Sequence, residues 1–262
     1  MTRNNDLQMV HKLGWLEGFS NLVTNESGRW WKTRRWLYQV VIWLVIVNGL
    51  MALIVASTPA MKPDDILAGF LKPWGLVLPM GVVILGQDAI IQEKQSGTAA
   101  WILSKPASHN AFILSKIAAN ALGILVTIIL VQGTVGYLQI WFSTGKAYPV
   151  LPFIGALGMV FLSLLFYLTL VIMLGTLFNS RGAVISIPFV LIFSVQVFKF
   201  GFGLAKIMPW NLTTSLGAGN PALGLVLIQG LPLPSLTPLF ATIFWCLLFT
   251  WIGLWRFNRE EL

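Results

Sequence analysis

Apolar residues in this chain gather into long runs separated by short polar breaks. Six runs stand out: Leu37–Ala56, Trp74–Ile91, Ile113–Trp141, Pro152–Phe178, Ala183 to about Leu204, and Pro238–Trp255. An α-helix needs about 20 residues to cross a hydrocarbon core about 30 Å thick. The third and fourth runs are longer than that and must tilt, bend or project into water. Backbone polar groups in lipid have to be satisfied within the segment, and the short alternating segments of a barrel are missing. The pattern predicts an all-α integral membrane protein with six transmembrane helices in one domain, 1–262.

The breaks between the runs carry structure of their own. Before the first run, Leu7, Val10, Leu13, Leu16, Phe19 and Val23 recur every three to four residues. That spacing makes one apolar helical face. The 1–36 segment is too polar to span and predicts an amphipathic helix on the inner leaflet. It ends in a basic and aromatic anchor, Trp30, Trp31, Arg34, Arg35 and Trp36. Between the last two runs, 205–236 is rich in Gly and Pro yet apolar. Its stretch "PALGLVLIQGL" is too short to cross, which predicts short re-entrant helices at the outer leaflet. No cleavable signal is expected, because the first long apolar run starts only near Leu37.

Charge decides orientation. With the N-terminus inside, Arg3, Lys12, Arg29, Lys32, Arg34, Arg35, Lys94, Lys105, Lys116, Arg181, Arg256 and Arg259 are inner. Only Lys62, Lys72, Lys146, Lys199 and Lys206 are then outer. Basic residues collect on the cytoplasmic side, so both termini are expected in the cytoplasm of a multi-pass cell-membrane protein. The net charge of +8 is thereby assigned to the bilayer, and no nucleic-acid partner is expected.

Composition removes most chemistry. The single cysteine, Cys246, falls inside a run, and the two histidines, His11 and His109, are far apart. No disulfide framework or metal site is expected from them. Asp88 and Lys199 lie near span ends, where they can reach an interface. The polar residues deeper in the spans, Asn48, Gln132, Gln139 and Gln196, are uncharged amides suited to bonds between helices. No acid sits mid-span to carry a proton or sodium ion. No catalytic constellation appears, and the phosphate-binding loop is absent: Gly145-Lys146 is followed by alanine.

The loop over 92–112 is the polar break that hydropathy alone does not explain. It begins the stretch "QEKQSGTAAWILSKPASHNAFILSK". Gln92–Ser104 is long enough for about three helical turns, and Pro106 ends them because the residue before proline avoids the helical region. Lys94, Thr98, Trp101 and Lys105 share one face at about i, i+4 spacing, while Ala99, Ile102 and Leu103 make an apolar face toward the spans. Trp101 is the type of aromatic side chain that anchors interfaces.

This stretch resembles the first cytoplasmic loop of the type-2 ABC transporter permeases. The shared pattern is an acidic residue, a Gly-Thr pair, a leucine-rich turn, a proline and a lysine opening the next span. Glu93, Gly97, Thr98, Leu103, Pro106 and Lys116 occupy those places. The family often carries arginine shortly after the proline, where this chain has His109 and Asn110, so no salt bridge is carried over from there. The predicted amphipathic helix, six spans and re-entrant helices extend the likeness to the whole layout.

The resemblance implies a permease subunit of an ATP-driven exporter. It would pair with a second permease chain, identical or homologous, above two ABC ATPase subunits. ATP and Mg would be held on the partner ATPase, with no cofactor on this chain, which is not expected to be an enzyme. The loop would be a coupling helix docking through Glu93, Lys94, Gly97, Thr98, Trp101, Lys105 and Pro106. The second and fifth spans would line the path, the latter through Phe189, Phe193, Gln196 and Val197. Such a mostly apolar wall suits an amphipathic cargo: a drug, peptide or lipid. The competing readings are a motor-independent transporter or channel, and a non-transporting membrane scaffold.

Overall fold

The computed structural model describes residues 14–58, 61–198, 206–216 and 220–260. Its regular elements are all helical among the described residues. A short helix, α1 (Phe19–Trp31), precedes the long ones. Then follow α2 (Arg35–Ser57), α3 (Pro63–Gln95), α4 (Thr98–Leu103) and α5 (His109–Thr144). The remainder are α6 (Val150–Leu177), α7 (Arg181–Phe198), α8 (Trp210–Thr213), α9 (Leu223–Ile228) and α10 (Thr237–Phe257).

Five helices, α2, α3, α5, α6 and α10, are long and apolar enough to cross a membrane. The predicted fifth run corresponds to α7, a shorter apolar helix. Its expected continuation through Lys199 to Leu204 lies outside the described residues, as do His11, Lys12 and the first apolar positions of the predicted N-terminal helix. The second span begins earlier than its apolar run. Pro63 occupies the first turn with Asp64 and Asp65 beside it, a start that proline's fixed φ and the helix dipole both favour. Lys72 and Pro73 interrupt the hydropathy but not the helix.

α6 is the axis of the bundle. Of its most apolar window 78% is buried inside the protein, against 22% for α2 and 17% for α10. α10, α3 and α9 pack along α6, with α5, α7 and α8 completing the ring. α2 leans chiefly on α5, outside that ring. Apolar side chains along α2 and α10, such as Val45, Leu53, Phe244 and Leu247, remain exposed. A bilayer covers such a surface, whereas water would penalise it.

In lipid, moving an apolar side chain from tails to protein gains little, so shape and internal hydrogen bonds hold the helices together. Gly136 of α5 gives up its side chain to the Phe70 ring, which lies 2.1 Å from where a Cβ would stand. Asn48 Nδ2–H donates to Gln132 Oε1 at 2.9 Å, and Gln139 Nε2–H donates to the Asn48 carbonyl at 3.2 Å. These bonds join α2 to α5, as the buried amides led one to expect. Both helices widen locally into π-helix, over Leu44–Gly49 and Leu125–Leu130. Gln132 Nε2–H reaches back to the Thr127 carbonyl, at the π segment of its own helix, and across to Val40.

The connection over 205–236 holds α8 and α9, both seated on α6. Trp210 Nε1–H donates to Tyr167 Oη at 3.1 Å, and Trp245 Nε1–H to the Ile207 carbonyl at 3.1 Å. On the same side of the bundle, Tyr148 Oη–H donates to Asp64 Oδ1 at 2.8 Å. Burial, then the neighbouring Asp64 carboxylate, hold that phenol well above its ordinary pKa.

Gly136→Ala should lower the melting temperature in detergent, because overpacking of this kind costs about 1–3 kcal/mol. Gly158→Ala, at an exposed position with no neighbour within 4 Å, should leave it unchanged or raise it. Equal behaviour of the two variants would contradict the α5–α3 contact.

Candidate functional site

The 92–112 loop is assembled from two helical pieces rather than one. α3 runs on to Gln95, and Gly97 then turns the chain at φ +70°. L-residues with side chains avoid that region, which is why the expected continuous helix over Gln92–Ser104 breaks here. α4 follows over Thr98–Leu103, and the hydroxyls of Ser96 and Thr98 lie 2.7 Å apart across the turn. α4 buries Ala99 and rests Ile102 and Leu103 on the core, as its apolar face requires. Trp101 stands 62% exposed on the opposite side. Lys105 Nζ sits 3.5 Å above the Trp101 ring, a cation–π contact that fixes the indole in place.

Behind α4 lies a cluster of four charges, two of them buried. Glu93, 3% exposed, and Lys116, fully buried, meet through Lys116 Nζ and Glu93 Oε1 at 2.5 Å. Lys116 Nζ also reaches Glu26 Oε1 of α1 at 2.6 Å. Arg29, one turn further along α1, contacts Glu93 Oε1 at 2.7 Å and Glu26 Oε2 at 3.4 Å. Two carboxylates and two cations therefore neutralise one another where α1, α3 and α5 meet. Burial of Glu93 and Lys116 is tolerated because each finds a partner of opposite charge. Trp30 seals the cluster's flank: its ring fills the place that a side chain on Gly123 would take, and its Nε1–H donates to Asn120 Oδ1 at 3.2 Å.

Three other segments are tied to the same loop. The turn before α1 lies against it: Ser108 N–H donates to the Glu17 carbonyl at 3.0 Å and Ser108 Oγ–H to the Trp15 carbonyl at 2.7 Å. Ser108 Oγ also accepts from Ala111 N–H and so caps α5. The C-terminal segment contributes Glu260, 2.6 Å from Lys94 Nζ, and Phe257, stacked on Phe112 at 5.2 Å. Gln95 Nε2–H donates to the Asn179 carbonyl between α6 and α7 at 3.1 Å.

This geometry redistributes the predicted residues. Gly97, Thr98, Trp101, Lys105 and Pro106 lie at or near the surface together. Glu93 and Lys94 do not: their charges are drawn inward by Lys116 and Arg29, and by Glu260. Both are engaged in ion pairs within the chain. Of the anchor residues, Arg34, Arg35 and Trp36 are exposed and Trp31 is half-buried, but Trp30 is buried against α5 and faces protein instead of lipid. On α7, Phe193 is exposed and Phe189 is partly buried, with ring centroids 6.3 Å apart. The side chains of Gln196 and Val197 lie outside the described residues. Glu26 and Arg29 were not singled out by the sequence. Their spacing on one face of α1 with Trp30 was the available signal.

The family model for "Protein of unknown function (DUF2705)" matches residues 39–262. The chain belongs to that family. No curated protein matches it. The family match takes in every long helix of this DUF2705 chain except the first residues of α2, and leaves out α1. The cluster therefore joins a helix beyond the matched segment, through Glu26 and Arg29, to two residues within it, Glu93 and Lys116. Among the described residues no group of His, Cys, Asp or Glu is placed to hold a metal ion.

Lys116→Met leaves two carboxylates short of a cation and should destabilise the protein by about 3–5 kcal/mol. Adding Glu93→Gln should restore part of that loss, since Glu26 and Arg29 can then pair alone. Thermal unfolding in detergent measures both; a purely additive double variant would show that the pair is not coupled.

Proposed function

We propose that this chain is the membrane-spanning permease subunit of an ATP-driven ABC exporter. Its 92–112 loop docks onto separate ATPase subunits on the cytoplasmic side, where both termini lie. Two permease chains, identical or homologous, form the translocation path, with α7 as the sixth span and α8 and α9 re-entrant at the outer leaflet. ATP and Mg are bound by the two ATPase subunits, and this chain supplies no catalytic group.

The observation that carries the reading is the way α4 is mounted. A short helix presents one exposed indole, Trp101, braced by Lys105. Immediately behind it, Glu93 and Lys94 are committed to α1, α5 and the C-terminal segment. A push on α4 is thus delivered to four segments at once, two of which, α3 and α5, are long spans. A loop serving only as a connection has no need of such bracing. The exposed apolar flank of α7, with Val190 and Phe193, supports an amphipathic cargo or a second permease chain against it.

The test is co-expression with candidate ABC ATPase subunits from the same genome. Trp101→Ala should weaken assembly by about 30-fold, the equivalent of a 2 kcal/mol anchor, and abolish transport-linked ATP hydrolysis. The melting temperature should stay unchanged, because Trp101 touches little of the core. Transport in vesicles without ATP, or full assembly by Trp101→Ala and Lys105→Ala, would refute the proposal.

A further inference from the structure

At the end of the bundle that carries the loop, α2 and α3 part from each other. Trp43 closes the seam deeper in, lying 2.2 Å from where a Cβ on Gly81 of α3 would stand. Its Nε1–H donates to Gln39 Oε1, one turn nearer the end, at 2.9 Å. Past Gln39 a cavity of about 330 Å³ opens between α1, α2 and α3, with Asn120 of α5 also in its wall.

The charges on the inner wall of this cavity are already matched. Glu26 and Arg29 belong to the charge cluster, and Asp88 holds Arg181 at 3.1 Å. The α2 side differs. Arg35 forms no ion pair among the described residues, although it lines the same cavity. Gln39 uses its carbonyl oxygen on Trp43, and its amide hydrogens, like the Tyr38 hydroxyl, have no partner among the described residues. The open wall therefore offers one uncompensated positive charge and two neutral hydrogen-bond donors. From Tyr38 the same face of α2 continues away from the cavity as an exposed apolar strip: Val41, Ile42 and Val45. A cationic donor set at one end and an apolar track one to two turns away match an amphiphile with an anionic head.

We propose that this cleft binds the phosphate headgroup of a membrane phospholipid. Arg35 makes the charged contact, Gln39 and Tyr38 the neutral ones, and the acyl chains lie along Val41, Ile42 and Val45. Arg29 is held by Glu93 and Glu26 and serves as wall, not ligand. The inference requires a bilayer around the five long helices and nothing about an ATPase, so it stands or falls separately from the transport reading.

The test uses the full chain in detergent and native mass spectrometry of retained lipid. Phosphatidylglycerol is the probe, diacylglycerol is its headgroup-free counterpart, and glycerol phosphate is its tail-free counterpart. Phosphatidylglycerol should bind with a one-to-one component that Arg35→Gln weakens at least roughly tenfold, the scale of one charge-assisted contact. Arg34→Gln removes the same charge from the neighbouring exposed position, outside the cavity wall, and should leave that component intact. Diacylglycerol should not bind there, and glycerol phosphate should bind far more weakly. Equal losses from Arg34→Gln and Arg35→Gln, or no loss from either, would overturn the proposal in favour of diffuse interfacial charge. Glycerol phosphate binding as tightly as the lipid would overturn the lipid assignment.

Discussion

The contact on which the rest depends is the shared hold of Glu93 Oε1 by Lys116 and Arg29. Glu93 and Lys116 are buried there while Arg29 closes the site from the solvent side, so the buried pair is intolerant of a missing partner. α1 also packs along α5, with Leu22 resting on the core. Its sequence is only weakly apolar, and only Trp30 is buried in protein. Glu26 and Arg29 bring the needed charges, and Trp30 sets the helix against Gly123. Once α1 is fixed, the turn at Trp15–Glu17 reaches Ser108, which caps α5. The short helix α4 then has a solid base rather than a hinge on either side.

The architecture inside the membrane follows a different logic. The central helix α6 is uniformly apolar and needs no polar stripe, because other helices surround it. The peripheral helices α2 and α10 are just as apolar on their outer faces, since lipid and protein interior impose the same requirement there. Specificity of packing then rests on small residues that admit large ones, as with Gly136 and Phe70, and on a few amides. The Asn48–Gln132 bond has no charge to neutralise and still fixes which faces of α2 and α5 meet.

Hydropathy made the long helices legible to within a few residues at most ends, because exclusion of water from a bilayer is a strong, one-dimensional constraint. It failed at the start of α3, where Pro63 and two aspartates signal a helix that the apolar run does not include. It also could not say where Glu93 points. Its partners lie 23 residues away at Lys116 and across the chain at Arg29, and pairing at such distances leaves no periodic trace. Read alone, a glutamate in a polar loop is a surface residue. Trp30 misled for a related reason: a tryptophan near a span end marks an interface in composition, but Gly123 offered it a slot inside the protein. The exposure of Trp101 and the inward face of Ala99 were legible, because α4 is short enough for simple helical spacing to hold despite the break at Gly97.

The two π-helical segments alter how the sequence of this chain must be compared with any other. Each wide turn takes an extra residue, so it shifts the phase of every position after it by about 100° relative to an ideal α-helix. In α2 the residues before Leu44 and after Gly49 therefore obey two different helical wheels, and in α5 the same holds on either side of Leu125–Leu130. A relative with one residue fewer in either segment could keep every apolar position and still turn a different face toward its neighbour. In these two spans a single-residue gap in an alignment is thus a rotation, not a shortening.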